Sequence, residues 1–146
     1  MTVEYRYAET DQEFQACLDV RKDVFIIGQD VPEDEEIDGR DGEASHILAE
    51  NDSQVIGTAR IRFLDDVVKI ERVAVLDRCR GQGIGKGIML FIMEKMTEKQ
   101  DVKTLKLSSQ THAIPFYEAL GFYAVGDEYM DAGIPHFDML KDNENR

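Results

Sequence analysis

The sequence is short of basic residues, of cysteine and of long apolar runs, and each shortage removes a class of function. Its 17 lysines and arginines stand against 30 aspartates and glutamates, a formal net charge of −13. A surface that acidic repels phosphate backbones, so neither nucleic acid nor an anionic membrane is expected as a partner. Cationic small molecules would be drawn in, although solubility alone would also account for the charge. No apolar run reaches the roughly 18 residues that a bilayer-spanning helix needs. Met1-Thr2-Val3-Glu4-Tyr5 lacks the basic and apolar regions of a secretory leader, so a cytoplasmic location is expected. The two cysteines, Cys17 and Cys79, show no CxxC or Cys/His spacing and read as free thiols in a reducing compartment. His46 and His112 add no ligand spacing, so no metal is expected. Internal repeats and low-complexity linkers are absent as well. The 146 residues read as one domain, long enough to bury a core without staples, structured over about 3–140 with a polar tail over 141–146.

What is present alternates between strand and helix signals. Val3-Glu4-Tyr5-Arg6-Tyr7 alternates like a short strand. Thr10 or Asp11 can cap a helix carrying Phe14, Cys17, Leu18, Val20, Arg21, Val24 and Phe25 at helical spacing. Gly28 to Gly42 reads as a loop or broken second helix, dense in carboxylates. Strands are expected over Ser45 to Glu50, Gln54 to Leu64 and Val67 to Leu76, joined by turns at Asn51-Asp52-Ser53 and Asp65-Asp66. In the last of these, Val68 and Ile70 share one parity, whereas Val73 and Val75 share the other. The apolar phase therefore slips at Glu71-Arg72, as a bulge or a strand buried on both faces would make it do. Ile84 to Lys99 predicts a helix that is apolar nearly all round, with Met89, Met93 and Met96 as core. Thr104 to Ser108 predicts a strand, Thr111 to Leu120 a helix closed by Gly121, and Phe122 to Tyr129 with Ile134 to Leu140 a final strand pair. The order β-α-(α)-β-β-β-α-β-α-β-β is an α/β reading, with helices on both sides of a mixed sheet.

Between the third long strand and the apolar helix lies Arg78-Cys79-Arg80-Gly81-Gln82-Gly83-Ile84-Gly85-Lys86-Gly87. Glycines let the backbone bend so that several N–H groups converge, and the helix N-terminus adds partial positive charge. From Arg78 to Met93 there are three cations and no carboxylate. Cations at a helix N-terminus oppose its dipole, and a bound phosphate would offset them. A Walker A loop does not fit, because Arg80 stands at its first glycine and Gly87 at its Ser/Thr position. A dinucleotide fingerprint fails too, its third glycine falling on Lys86 or Ile88. A purely structural glycine turn is the plain alternative.

Arg80-Gly81-Gln82-Gly83-Ile84-Gly85 resembles the R-x-x-G-x-G signature of the GNAT N-acetyltransferases, whose loop wraps the coenzyme A pyrophosphate. About thirty residues on, Ala113-Ile114-Pro115-Phe116-Tyr117-Glu118-Ala119-Leu120-Gly121-Phe122 resembles the second hallmark of that superfamily, A-x-x-F-Y-E-x-L-G-F. The likeness runs from about Val3 to Leu140. Residues 21–41 and Gly133-Ile134-Pro135-His136 are similar to a small bacterial subgroup of ElaA/YjcF type. There the first helix ends in F-x-x-E-Q, whereas Gly28 here replaces the glutamate before Gln29.

The resemblance implies a GNAT fold splayed at its cofactor site, acetyl-CoA as co-substrate, and transfer of its acetyl group to a primary amine of a small, cationic acceptor. Two readings stand beside this: a non-catalytic acyl-CoA-binding regulatory module, and a protein lysine or N-terminal acetyltransferase. The loop residues Arg80, Gly81, Gln82, Gly83, Ile84, Gly85 and Lys86 would hold the pyrophosphate. Backbone groups of Val73, Ala74 and Val75 would hold the acetyl and pantetheine arm, and Phe116 and Gln110 would touch the cofactor, Gln110 standing where many relatives have asparagine. Tyr117 would protonate the departing thiolate. An amine with a pKa near 10.4 arrives charged, so a base is needed. Glu71 is the candidate, acting through water, with a strand carboxylate paired to Lys69 or Arg72 as the alternative. His136 either faces the acceptor or is an ordinary histidine. Homodimerisation stays open.

Overall fold

The computed structural model describes residues 2–145. Its elements, in order, are β1 (Glu4–Tyr7), α1 (Asp11–Arg21), α2 (Glu33–Glu36), β2 (Ser45–Asn51), β3 (Gln54–Leu64), β4 (Val67–Val75), α3 (Ile84–Thr97), β5 (Thr104–Gln110), α4 (Ile114–Glu118), β6 (Tyr123–Asp131) and β7 (Ile134–Asp142). The strands form one sheet in the order β1-β2-β3-β4-β5-β7-β6. Among the described residues only the β4–β5 pairing is parallel, so the sheet is mixed, as the sequence implied.

Local chemistry sets the boundaries. Thr10 Oγ1 accepts the Glu13 N–H at 3.0 Å and so caps α1. Beyond Arg21 the helix widens into a π-helical turn, Lys22–Ile27, closed by the Gly28 N–H bonding back to Asp23 O. The β2–β3 turn puts both Asp52 (φ 50°) and Ser53 (φ 64°) in the left-handed region, the geometry that matches strand twist.

Alternation divides the sheet into two buried faces. One carries Ile47, Ala49, Ile61 and Ile70 against Ile88, Met89, Ile92 and Met96 of α3. Gly57 permits that contact, since a Cβ there would lie 3.0 Å from Ile88 Cδ1 and 3.2 Å from Ala74 O. The other face packs Ala74 against Val20 of α1 and Val24 of the π turn.

The phase slip in β4 is a bulge. Thr58 pairs with Ala74 and Arg60 with Glu71, so Ala59 faces two residues, Arg72 and Val73. Arg72 takes φ 55° to make the extra step. The parallel ladder to β5 covers only Val67–Ile70 with Thr104–Leu107. Past Ile70 the two strands run on without pairing, and the sheet opens between them.

Two expectations need correction. The segment from Thr111 is not one helix but a 3₁₀ turn, Thr111–Ala113, followed by α4. The end of the chain packs further than its polarity suggested: β7 continues through Lys141 to Asp142. Asn143 Nδ2 then donates to the carbonyls of Met96 (2.8 Å) and Val102 (2.9 Å), and Asn145 Nδ2 to that of Lys99 (2.8 Å). These side chains satisfy carbonyls around the end of α3, which hydrophobicity could not reveal. Arg146 lies outside the described residues.

Candidate active site

The opening between β4 and β5 leads into a cavity of about 790 Å³, within the range of small-molecule and cofactor sites. Glu71, Val73, Ala74, Val75, Arg80, Gly81, Gly83, Ile84, Gly85, Lys86, Gln110, Phe116 and Tyr117 all line it. Gln82, also named from the sequence, does not. No group of three or more metal-ligating side chains occurs among the described residues.

One wall is an anion cradle. Gly83 (φ 79°) caps α3, and the first intrahelical bond runs from the Gly87 N–H to Gly83 O at 2.9 Å. The amides of Ile84, Gly85 and Lys86 therefore precede the helical ladder and are free to bind an anion. No carboxylate stands in that first turn. A Cβ on Gly85 would project toward Phe116 Cζ (3.7 Å) and Val75 Cγ2 (3.8 Å), so the missing side chain leaves a channel between α3, α4 and β4. A pyrophosphate followed by a slender thiol-bearing arm fits that donor set and that width.

Tyr117 projects from α4 into the same space. Its ring is half-buried, edge-on to Phe116 (4.9 Å between centroids) and Phe122 (6.2 Å). No described residue hydrogen-bonds its hydroxyl, and burial pushes the phenol up to about 12. The group is thus neutral, with its proton available to donate, throughout the working pH range.

On the opposite, α1 side the acidic loop is not free. Glu36 accepts from Arg21 Nε (3.1 Å) and Nη2 (3.0 Å), with Arg72 Nε 2.8 Å away. Asp38 binds Arg60 Nη2 at 2.8 Å, and Asp41 lies 2.7 Å from Arg21 Nη1 and 3.0 Å from Arg60 Nη1. Arg21 and Arg60 are fully buried, so these carboxylates neutralise cations from α1, β3 and β4. The Arg60 and Arg40-backbone hydrogen bonds outweigh burial and hold Asp38 far below the usual carboxylate range. Along the sequence only Arg40 stands within this acidic run; the opposing charges come from α1, β3 and β4.

Glu71 belongs to the same network. Burial would raise its pKa, but Arg62, at 2.5 Å, and the charge of Arg60, at 3.3 Å, outweigh it and hold the carboxylate below its usual value. Lys69 lies 3.8 Å away, the partner anticipated for the strand-carboxylate alternative. A carboxylate so engaged is a poor proton acceptor at neutral pH.

More residues line the cavity, among them Ser108, Tyr129 and Asp138, which had no sequence signal. Gln29, just after the π turn, exchanges amide contacts with Gln110 (2.9 Å), which His112 Nε2 also reaches at 2.8 Å. Across β5, β6 and β7, Tyr129 Oη donates to Asp138 Oδ1 at 2.6 Å and makes a short contact with Ser108 Oγ. Burial and that carboxylate push the Tyr129 phenol up to about 12. His136, buried and opposite Gln110, stacks on Tyr129 at 6.1 Å and 22°.

Comparison with known proteins identifies the family and the fold. A family model described as an acetyltransferase (GNAT) domain matches residues 10–143. The uncharacterized N-acetyltransferase YjcF of Bacillus subtilis is 36% identical over 136 residues, 92% of this chain and 96% of that protein. ElaA of Escherichia coli is 35% identical over 132 residues, 87% of this chain and 86% of its own. The crystal structure of E. coli ElaA superposes with a TM-score of 0.86, covering 96% of this chain and 99% of that one at 31% identity. An acyl-CoA N-acyltransferase from Pseudomonas aeruginosa gives the same score and coverage at 29% identity.

Proposed function

The chain belongs to the GNAT acetyltransferase family, and from that premise we propose that it moves the acetyl group of acetyl-CoA to a primary amine of a small acceptor. The family's fold implies an acyl-CoA co-substrate; the acetyl group, the small acceptor and the residue roles below are our reading. One observation carries it: the first residues of α3, the end of β4 that has no partner on its β5 side, and Tyr117 line a single cavity.

In this reading Gly83, Ile84, Gly85 and Lys86 receive the pyrophosphate through backbone N–H groups, with Arg80 beside them. The bulge at Arg72 frees the backbone of Val73, Ala74 and Val75 from β5, so their polar groups can bind the amide-bearing arm. When bound, acetyl-CoA supplies an acyl carbon activated by a thiolate leaving group of pKa about 8.5. The amine lone pair attacks that carbon, the C–N bond forms and the C–S bond breaks. The nitrogen, arriving as an ammonium, gives one proton to a base before attack and sheds a second after it, and sulfur takes one from Tyr117, which regains it through solvent. Glu71, ionised and lining the acceptor side, favours an ammonium there by its charge. Tyr117 is buried enough to be positioned, which matters because its proton moves toward a weaker base.

The test is thiol release from acetyl-CoA over a panel of primary amines, paired with thermal melting. Acetyl-CoA should raise the melting temperature, and NAD and ATP should not. No shift at cofactor concentrations far above a micromolar would refute the reading.

A further inference from the structure

We propose that His136, not Glu71, takes the proton from the acceptor amine; the inference rests on the amine acetylation proposed above. The cavity holds several candidate bases besides His136, and most of their lone pairs are engaged. From β4, Glu71 faces Arg62, Arg60 and Lys69. From β7, Asp138 receives the Tyr129 hydroxyl at 2.6 Å and lies 3.7 Å from Lys106 of β5. His112 is exposed and turned to Gln110. Glu35 of α2 and Asp131 of β6 are exposed carboxylates at the cavity's edge.

His136 differs. It is only 8% exposed, yet it lines the cavity. Its Nδ1 lies 2.7 Å from Ile134 O, and a carbonyl can only accept, so Nδ1 carries the hydrogen. The neutral ring then has its lone pair on Nε2, for which the described residues offer no hydrogen-bond partner. The ring is held in place from two sides. Ala132 (φ 50°) and Gly133 (φ 75°) make a tight two-residue turn that fixes Ile134, and Tyr129 stacks against the ring. Gln110, its direct partner on β5, ties this position to Gln29 beside the π turn.

The step balances without any further reactant. From the arriving ammonium Nε2 accepts one proton, which frees the lone pair that forms the C–N bond. The C–S electrons go to sulfur and Tyr117 protonates the thiolate; the second proton shed by nitrogen restores the Tyr117 hydroxyl through solvent, and the imidazolium returns the first to solvent.

The experiment uses whichever amine of the panel is acetylated, with thiol release followed across pH. His136→Asn keeps a donor that can reach Ile134 O but has no titrating nitrogen; His136→Gln provides a second geometry. Both should lower kcat by about 10²-fold or more, leave the KM for acetyl-CoA and its thermal shift unchanged, and lose the acidic limb of kcat/KM. Glu71→Gln should retain that limb. If the limb survives in either folded His136 variant, or vanishes in Glu71→Gln instead, His136 is not the base. If acetyl-CoA binds but no amine is acetylated, the amine reading falls, and the inference with it.

Discussion

Glu35 and Glu36 are neighbours of the same charge in the same acidic run, yet replacing each with glutamine should have very unequal consequences. Glu36 is 3% exposed and holds Arg21 at 3.1 and 3.0 Å and Arg72 at 2.8 Å. Removing one partner of a buried ion pair costs about 3–5 kcal/mol, because the remaining charge stays out of water. Arg21 still has Asp41 at 2.7 Å and Arg72 still has Asp38 at 3.5 Å, so the low end applies, about 3 kcal/mol. For a protein near 150 residues each kcal/mol is roughly 2–4 °C, which gives a fall of about 6–12 °C in Tm for Glu36→Gln. Glu35 is exposed and its carboxylate meets no cation or hydrogen-bond donor among the described residues, so Glu35→Gln should move Tm by less than about 2 °C. Differential scanning calorimetry at low and at half-molar salt checks both. The Glu36 loss should persist at high salt, since a buried pair is screened little. Equal shifts for the two variants, or a Glu36→Gln loss under about 2 °C, would refute the account of the loop as a buried charge network.

Tyr117→Phe should lower turnover by about 10²-fold while leaving the acetyl-CoA thermal shift intact, and unchanged turnover would assign the residue to packing. Gly85→Ala should make the apo protein slightly more stable, by about 0.5–1 kcal/mol, because alanine suits a helix better. The same Cβ, aimed at Phe116 and Val75, should weaken acetyl-CoA binding, read as a smaller thermal shift. Stability should fall on acidification in two stages. His46, lowered by burial, is favoured neutral in the fold, so stability begins to drop below its unfolded value of about 6.5. Asp38, Asp41 and Glu71 are all lowered in the fold, so their contribution is complete above about pH 5 and is lost progressively below it; a Tm that is flat from pH 7 to 3 would contradict both.

The sheet and the glycine-rich wall of the cavity were legible in the sequence because both rest on local rules. The strand limits of Gln54–Leu64 matched, since a left-handed Asp52-Ser53 turn and Asp65 mark both ends. The slip of apolar parity at Glu71-Arg72 announced the bulge. The α1-side wall was not legible. Charged residues read as solvated by default, and nothing local says that Arg21, Arg60 and Arg72 will meet Glu36, Asp38 and Asp41 from 15 to 36 positions away. Tyr129 and Asp138 were missed for a related reason: a bulge between Val125 and Tyr129 sets which β6 residues face His136 and Ser108.

The bulge at Arg72 joins the two halves of the site. A regular strand would have continued the ladder from Ile70 and closed the sheet against β5. The extra residue turns the chain, frees the backbone of Val73 to Val75, and sends the Arg72 guanidinium back to Glu36. Glu36 also binds Arg21 of α1, so the packing of α1, the π turn and α2 is coupled to the width of the opening through one carboxylate. Loss of Glu36 should therefore disturb acceptor kinetics as well as stability. The cradle at α3 shares no residue with that network, and acetyl-CoA affinity should change less than the KM for the amine. A drop in cofactor affinity as large as the rise in amine KM would show that the two walls do not separate as their contacts do.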